Sequence, residues 1–259
     1  MSARPWDRAS RLTATPDDRL RPEIVALPAG RPTVDELFSF MRDAELRFAT
    51  LRMRIEERSA TTDGERLVVI ETLIRHPRDA RVTTSEPGLG TKDTYEIWIS
   101  DGSVVRTYSA THRLGTARPV RRGVVGLGGP DLPGSATVFR PLTPLPTESL
   151  PEAFVHPAGL CQNVLMTGDC RVSGTDLVAG REALVLECDH PRGAEVWADR
   201  PDRRLRVWVD RETGVVTRLV ETIGGEVTRD ATVVLLEPDA ALPPSAFDFE
   251  LPAGTATIF

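Results

Sequence analysis

The sequence predicts an α+β domain that is mostly β: a curved antiparallel sheet, or half-open barrel, packed against one N-terminal helix. Three observations predict it. Residues 34–48 place apolar side chains at helical spacing, and from Ala49 onward the period falls to two. The alternating segments that follow are separated by glycine turns, at Asp63-Gly64, Asp101-Gly102, Asp210–Gly214 and Gly224-Gly225. The C-terminal run Arg204–Phe249 consists of three strand-like segments and a Phe-x-Phe-x-Leu-Pro tail, and it contains no recognisable chemistry.

Each element follows in order. Residues 1–32 are rich in Arg, Asp and Pro and lack periodicity, so they read as a flexible arm. Residues 33–259 read as a single domain. Thr33 and Glu36 form a capping-box pattern that opens the one convincing helix, whose apolar face is Val34, Leu37, Phe38, Met41, Ala44, Leu46 and Phe48. Leu51, Met53 and Ile55 then alternate with Arg52, Arg54 and Glu56, and RLVVIETLIR returns after Asp63-Gly64 as the second arm of a hairpin. Arg81–Thr84 reads as a further short strand. YEIWIS and VVRTYSA form another hairpin around Asp101-Gly102. Residues 115–160 hold many of the glycines and prolines and read as an irregular insert with one short helix near Ser149–Phe154. Strands resume at CRVSGTDLVAG, REALVLECD and AEVWADR. A weak internal echo links Ile97-Trp98-Ile99 and its hairpin to Val207-Trp208-Val209 and its hairpin, which predicts two similar hairpins in one sheet.

Composition narrows the function classes. A 40% hydrophobic content is enough for a real core, and a net charge of −6 gives no bulk attraction to nucleic acid. Lys92 is the only lysine, so the arginine bias reads as a property of the coding sequence and single arginines are not taken as anion sites. The first residues contain no apolar h-region, and no stretch approaches the ~20 apolar residues that span a bilayer. The expectation is a soluble chain, cytoplasmic as the sequence stands and extracytoplasmic if its start is truncated or misassigned.

The N-terminal helix followed by a long meander resembles the LolA/LolB-like lipoprotein carriers and the RseB-type sigma-factor regulators. The residues that carry the resemblance are Leu46–Glu57, WISDGSVVRTY (Trp98–Tyr108), VAGREALVLEC (Val178–Cys188), LRVWVDRETGVVTRLVE (Leu205–Glu221) and the tail Phe247–Gly254. It extends in order and spacing over residues 33–255. The resemblance implies a concave, apolar sheet face that holds acyl chains or a lipidated peptide.

Catalytic patterns are weak by contrast. Gly123–Gly129 lacks the Lys-Ser/Thr of a phosphate loop, and Pro130 interrupts any helix there. No Gly-x-Ser-x-Gly elbow occurs. The sharpest metal set, Cys161, Cys170, Cys188 and His190, has long irregular spacings and no Cys-x-x-Cys anchor, so no metal and no cofactor is expected. Cys161 and Cys170 are a candidate disulfide, against a reading of all three as reduced thiols. Trp98 and Trp208 sit between aliphatic neighbours on their strands, so both strand faces are apolar. Trp98, Tyr108, Trp197 and Trp208 are the candidate ligand-binding residues, weighed against an ordinary two-sided core. The expected function is non-enzymatic binding of an apolar ligand. The alternatives are a regulatory module of a sigma/anti-sigma type system with a protein partner and, less favoured, a zinc or thiol enzyme.

Overall fold

The computed structural model describes residues 26–62, 64–87, 94–120, 141–191 and 200–258. Helix α1 (Val34–Arg42) starts where the capping box requires: Thr33 Oγ1 accepts from the Glu36 N–H, and the Glu36 carboxylate accepts from the Thr33 N–H at 2.8 Å. It buries Leu37, Phe40 and Met41 and passes through a 3₁₀ turn (Ala44–Arg47) into the first strand. At that junction the Arg47 guanidinium lies 3.8 Å from the Phe40 ring centroid and donates to the Phe40 and Thr213 carbonyls. This ties the end of the helix to a distant turn of the sheet.

The described strands are β1 (Thr50–Thr61), β2 (Gly64–Arg75), β3 (Asp79–Ser85), β4 (Tyr95–Asp101), β5 (Val104–Ser109), β6 (Leu114–Pro119), β7 (Asp169–Val178), β8 (Arg181–Asp189), β9 (Arg203–Asp210), β10 (Val216–Ile223), β11 (Glu226–Pro238) and β12 (Ala256–Ile258). They form one curved open sheet in the order β12-β6-β5-β4-β3-β2-β1-β11-β10-β9-β8-β7. Every neighbouring pair is antiparallel except β12, which runs parallel to β6. The expected hairpin turns are present: Gly102, Gly214, Gly224 and Gly225 have φ of 78°, 79°, 62° and 86°.

Two differences from the sequence reading concern secondary structure. The segment read as irregular from residue 115 begins with a strand, β6, whose pattern Leu-Gly-Thr-Ala-Arg-Pro shows no alternation but whose backbone pairs with β5 and β12. The helix expected near Ser149 is α2 (Leu150–Val155), with Ser149 as its N-cap, and a second short helix, α3 (Ala158–Asn163), follows it. Residues 121–140 of the insert, the expected strand around Trp197, and Gly123–Gly129 lie outside the described residues.

The halves of the sheet differ in regularity. Pairings from β1 through β6 keep an unbroken register. Register shifts occur between β1 and β11, β11 and β10, β10 and β9, and β8 and β7. Bulges bend and twist a strand locally, so the second half is built to curl. Its concave face packs on the helices: Leu184, Leu186, Leu205, Val207 and Val209 join Leu37, Met41, Phe154, Val155 and Leu165 in one buried cluster.

Candidate functional site

Register fixes which side chains share a face. Met53, Thr72, Val82, Trp98, Thr107 and Thr116 stand opposite one another across β1 to β6, and Leu236 continues the row on β11. Met53, Val82 and Leu236 belong to the same cluster as the helices, and Trp98 packs against it, so this row lies on the concave face. The next row on that face comprises Ile55, Ile70, Thr84, Glu96 and Ser109. Met53, Ile55, Ile70 and Val82 are buried, and the face becomes a shallow trough only towards β4–β6, where Trp98, Thr84, Thr107 and Thr116 are partly exposed. Trp98 is half-buried in it, and Thr107 and Thr116 share a 2.7 Å hydrogen bond. The hydroxyls of Thr72, which is fully buried, and of Ser109 have no hydrogen-bond partner among the described residues. A buried hydroxyl without a partner costs about 1–3 kcal/mol relative to a satisfied one. The described helices lie towards the other half of the sheet, with α1 on β7 and α2 on β10.

The opposite, convex face of β3–β6 is closed by the C-terminal tail. Asp239 anchors the start of the tail by accepting from the Ala49 N–H at 2.7 Å. A 3₁₀ turn (Pro244–Phe247) then crosses β3 and β4, where Arg81 donates to the Ala246 carbonyl and Arg75 stacks on Phe247. Phe249 lies 6.0 Å from the Tyr108 ring, and Tyr108 in turn lies 6.0 Å from Tyr95. Leu251 packs closely over Gly115, where a Cβ would lie 2.6 Å from its Cδ2. Beneath the tail Ile97, Ile99 and Tyr108 are buried.

The three expected ligand residues that are described therefore do not meet. Trp98 is in the trough. Tyr108 is 7% exposed on the opposite face, under the tail. Trp208 is 5% exposed and also faces away from the helices, in a small cluster with Val178 and Ala183. Its indole N–H donates to Asp176 Oδ2 at 3.0 Å, and the Arg218 guanidinium lies 4.8 Å from its ring centroid. The indole hydrogen bond, first, and the Leu177 N–H hold the Asp176 carboxyl below its ordinary range. Trp197 lies outside the described residues.

The cysteines gather differently from the spacing-based expectation. All three are free thiols. Cys161 is in α3 with its Sγ 3.7 Å from Met41 Sδ, and burial pushes its pKa up to about 12. Cys170 on β7 stands directly opposite Cys188 on β8. No group of three or more His, Cys, Asp or Glu side chains is gathered as a metal site among the described residues.

Sequence reasoning missed one buried polar cluster. His76 Nδ1 lies 2.7 Å from Thr143 Oγ1, and its ring stacks on Phe48 at 5.2 Å. His156 Nε2 donates to the Thr143 carbonyl, and its Nδ1 lies 3.0 Å from Glu45, whose carboxylate also accepts the Leu142 N–H. Thr143 is fully buried, so the cluster acts as a clamp that holds residues 142–156 to the end of α1. Its one sequence signal is Glu45, an acid in an apolar helical stretch.

No protein-family profile and no curated protein matches the chain. It is similar in structure to MucB, with 14% identity, a TM-score of 0.47, and coverage of 83% of this chain; the chain spans 62% of the length of MucB. It is also similar to a LolA superfamily protein from Nitrosomonas europaea, at 11% identity and a TM-score of 0.34 over 84% and 98% of the two chains. Lipoprotein LppX of Mycobacterium tuberculosis gives 11% identity and a TM-score of 0.37 over 77% and 94%. The mostly-β architecture rests on the chain's own strand order. No helix among the described residues is long and apolar enough to cross a membrane.

Proposed function

We propose that this chain is a non-enzymatic binding protein that holds an apolar ligand, such as a lipid, an acyl chain or a lipidated peptide, in the trough of β4–β6. The observation that supports this reading is Trp98: a half-buried aromatic beside Val82, on the concave side of strands whose other face the protein's own tail already covers. An acyl chain laid along Trp98 gains about 0.8 kcal/mol per buried methylene before association costs. Thr107 and Thr116, partly exposed on the strands beside Trp98, offer hydroxyls for an ester or amide at its end. The purified full chain is extracted with organic solvent and the extract analysed by mass spectrometry, with binding of a fluorescent fatty acid measured in parallel. The expected results are co-purifying lipid and an affinity lowered roughly 10-fold by Trp98→Ala, since losing a large aromatic contact of about 1.4 kcal/mol is tenfold in Kd. An empty protein that also fails to bind the fatty acid overturns the reading.

A second reading, a regulatory module with a protein partner, is favoured by β7. This strand ends the sheet, and Met166 and Leu177 beside its pairing edge are 64% and 71% exposed. Such an edge accepts an added strand. Pull-downs with and without residues 1–32 separate the readings, because a lipid carrier does not need the arm.

A further inference from the structure

We propose that Cys170 and Cys188 form a dithiol–disulfide pair that staples the edge strand β7 to β8. The two residues are directly opposed in the β7–β8 register. Opposed positions on antiparallel strands have Cα atoms about 4.5–5.5 Å apart, inside the range a disulfide spans, so the bond closes without moving the backbone. Both thiols point at one carbonyl: Cys170 Sγ lies 3.1 Å and Cys188 Sγ 3.5 Å from Leu165 O. Cys161, the other candidate partner, is turned toward Met41 in the helix packing.

Access divides the roles. Cys170 is half-buried at the edge of the sheet, whereas Cys188 is 1% exposed. A small disulfide RSSR therefore reaches Cys170 first. Cys170 sulfur bonds to one sulfur of RSSR and releases RSH. Cys188 sulfur then displaces the second RS group, which leaves as RSH with the remaining thiol proton. The protein loses two hydrogens and two electrons, and RSSR is reduced to two RSH.

Oxidation has a local consequence. Leu165 O loses its two S–H neighbours but keeps the Gly168 N–H at 3.1 Å. The 3₁₀ turn Leu165–Thr167 that leads from α3 into β7 thus stays satisfied while the edge strand becomes fixed.

The full chain is incubated with glutathione disulfide and its free thiols are titrated after denaturation. The expected result is a fall from three thiols to one, a Cys170–Cys188 cross-link in the peptide map, and a melting temperature raised by about 5–10 °C and restored by dithiothreitol. Cys161→Ser keeps the cross-link; Cys188→Ser abolishes it. If Cys188→Ser does not fold, the wild-type peptide map decides. A cross-link from Cys161 to Cys170, glutathione adducts without an internal bond, or three unchanged thiols each overturn the proposal.

Discussion

The hairpins β4–β5 and β9–β10 carry nearly the same pattern, a tryptophan between two aliphatic residues, yet they face opposite ways. On β4 the tryptophan points to the concave side, and Ile97 and Ile99 point out beneath the tail. On β9 the aliphatic residues Val207 and Val209 join the helical core, and Trp208 points out under Asp176 and Arg218. A period of two says that neighbours occupy opposite faces and nothing about which face is the core. Sidedness is decided by what covers each face: two helices and the C-terminal half of the core for one hairpin, a returning tail for the other.

The largest expected effect tests this difference directly. Trp208→Ala empties a site that is closed all round and leaves Asp176 without its indole donor. It should cost about 3–5 kcal/mol, whereas Trp98→Ala, at a half-buried site, should cost about 1–2 kcal/mol. Urea unfolding at constant m-value measures both. Equal costs would mean that the two tryptophans are equivalent core residues and that Trp98 lies in no trough.

The tail supplies the next test. Phe249→Ala removes a half-buried ring from Tyr108 and uncovers part of Ile97 and Ile99. The expected loss is about 1–2 kcal/mol, with increased binding of a dye specific for exposed apolar surface. Fatty-acid binding should stay as in the wild type, because the tail lies on the convex face. Weakened binding would place the ligand under the tail and not in the trough.

Much of this was legible before the structure. Thr33 and Glu36 marked the start of α1, and Gly102, Gly214, Gly224 and Gly225 marked turns, because caps and positive-φ positions are local requirements. Alternation in Leu51-Met53-Ile55 gave the face of β1 that enters the core. What stayed hidden depends on contacts distant in sequence. β6 is a strand through its pairing with β5 and with β12 from the tail, and its own residues do not alternate. α3 begins at Pro157 without a side-chain cap and is held by packing. Cys170 meets Cys188 through register, which the nearness of Cys161 in sequence obscured. That Trp98 faces the concave side while Tyr108 and Trp208 face elsewhere required the order of the strands and the path of the tail.

The smallest effect concerns the ionic cap over Trp208. Arg218 stacks on the indole and donates to both oxygens of Asp230. Burial alone would raise the Asp230 carboxyl, but hydrogen bonds from Arg218 and Thr232 outweigh it and hold its pKa below 3.8. A carboxyl depressed in the folded state contributes stability that is complete above its unfolded value, about 3.8, and is lost as the pH falls through its folded value. Solvent reaches both partners, whose side chains are 34% and 26% exposed, so screening limits the contribution to about 0.5–1 kcal/mol. Asp230→Asn should therefore cost about that much at neutral pH and flatten the acid limb of the stability curve below pH ~4. Trp98→Ala should leave that limb unchanged, since Arg218 and Asp230 belong to the other hairpin. Chemical unfolding at a series of pH values measures both slopes. An Asp230→Asn variant that keeps the wild-type acid slope would show that the cap over Trp208 is held by stacking alone.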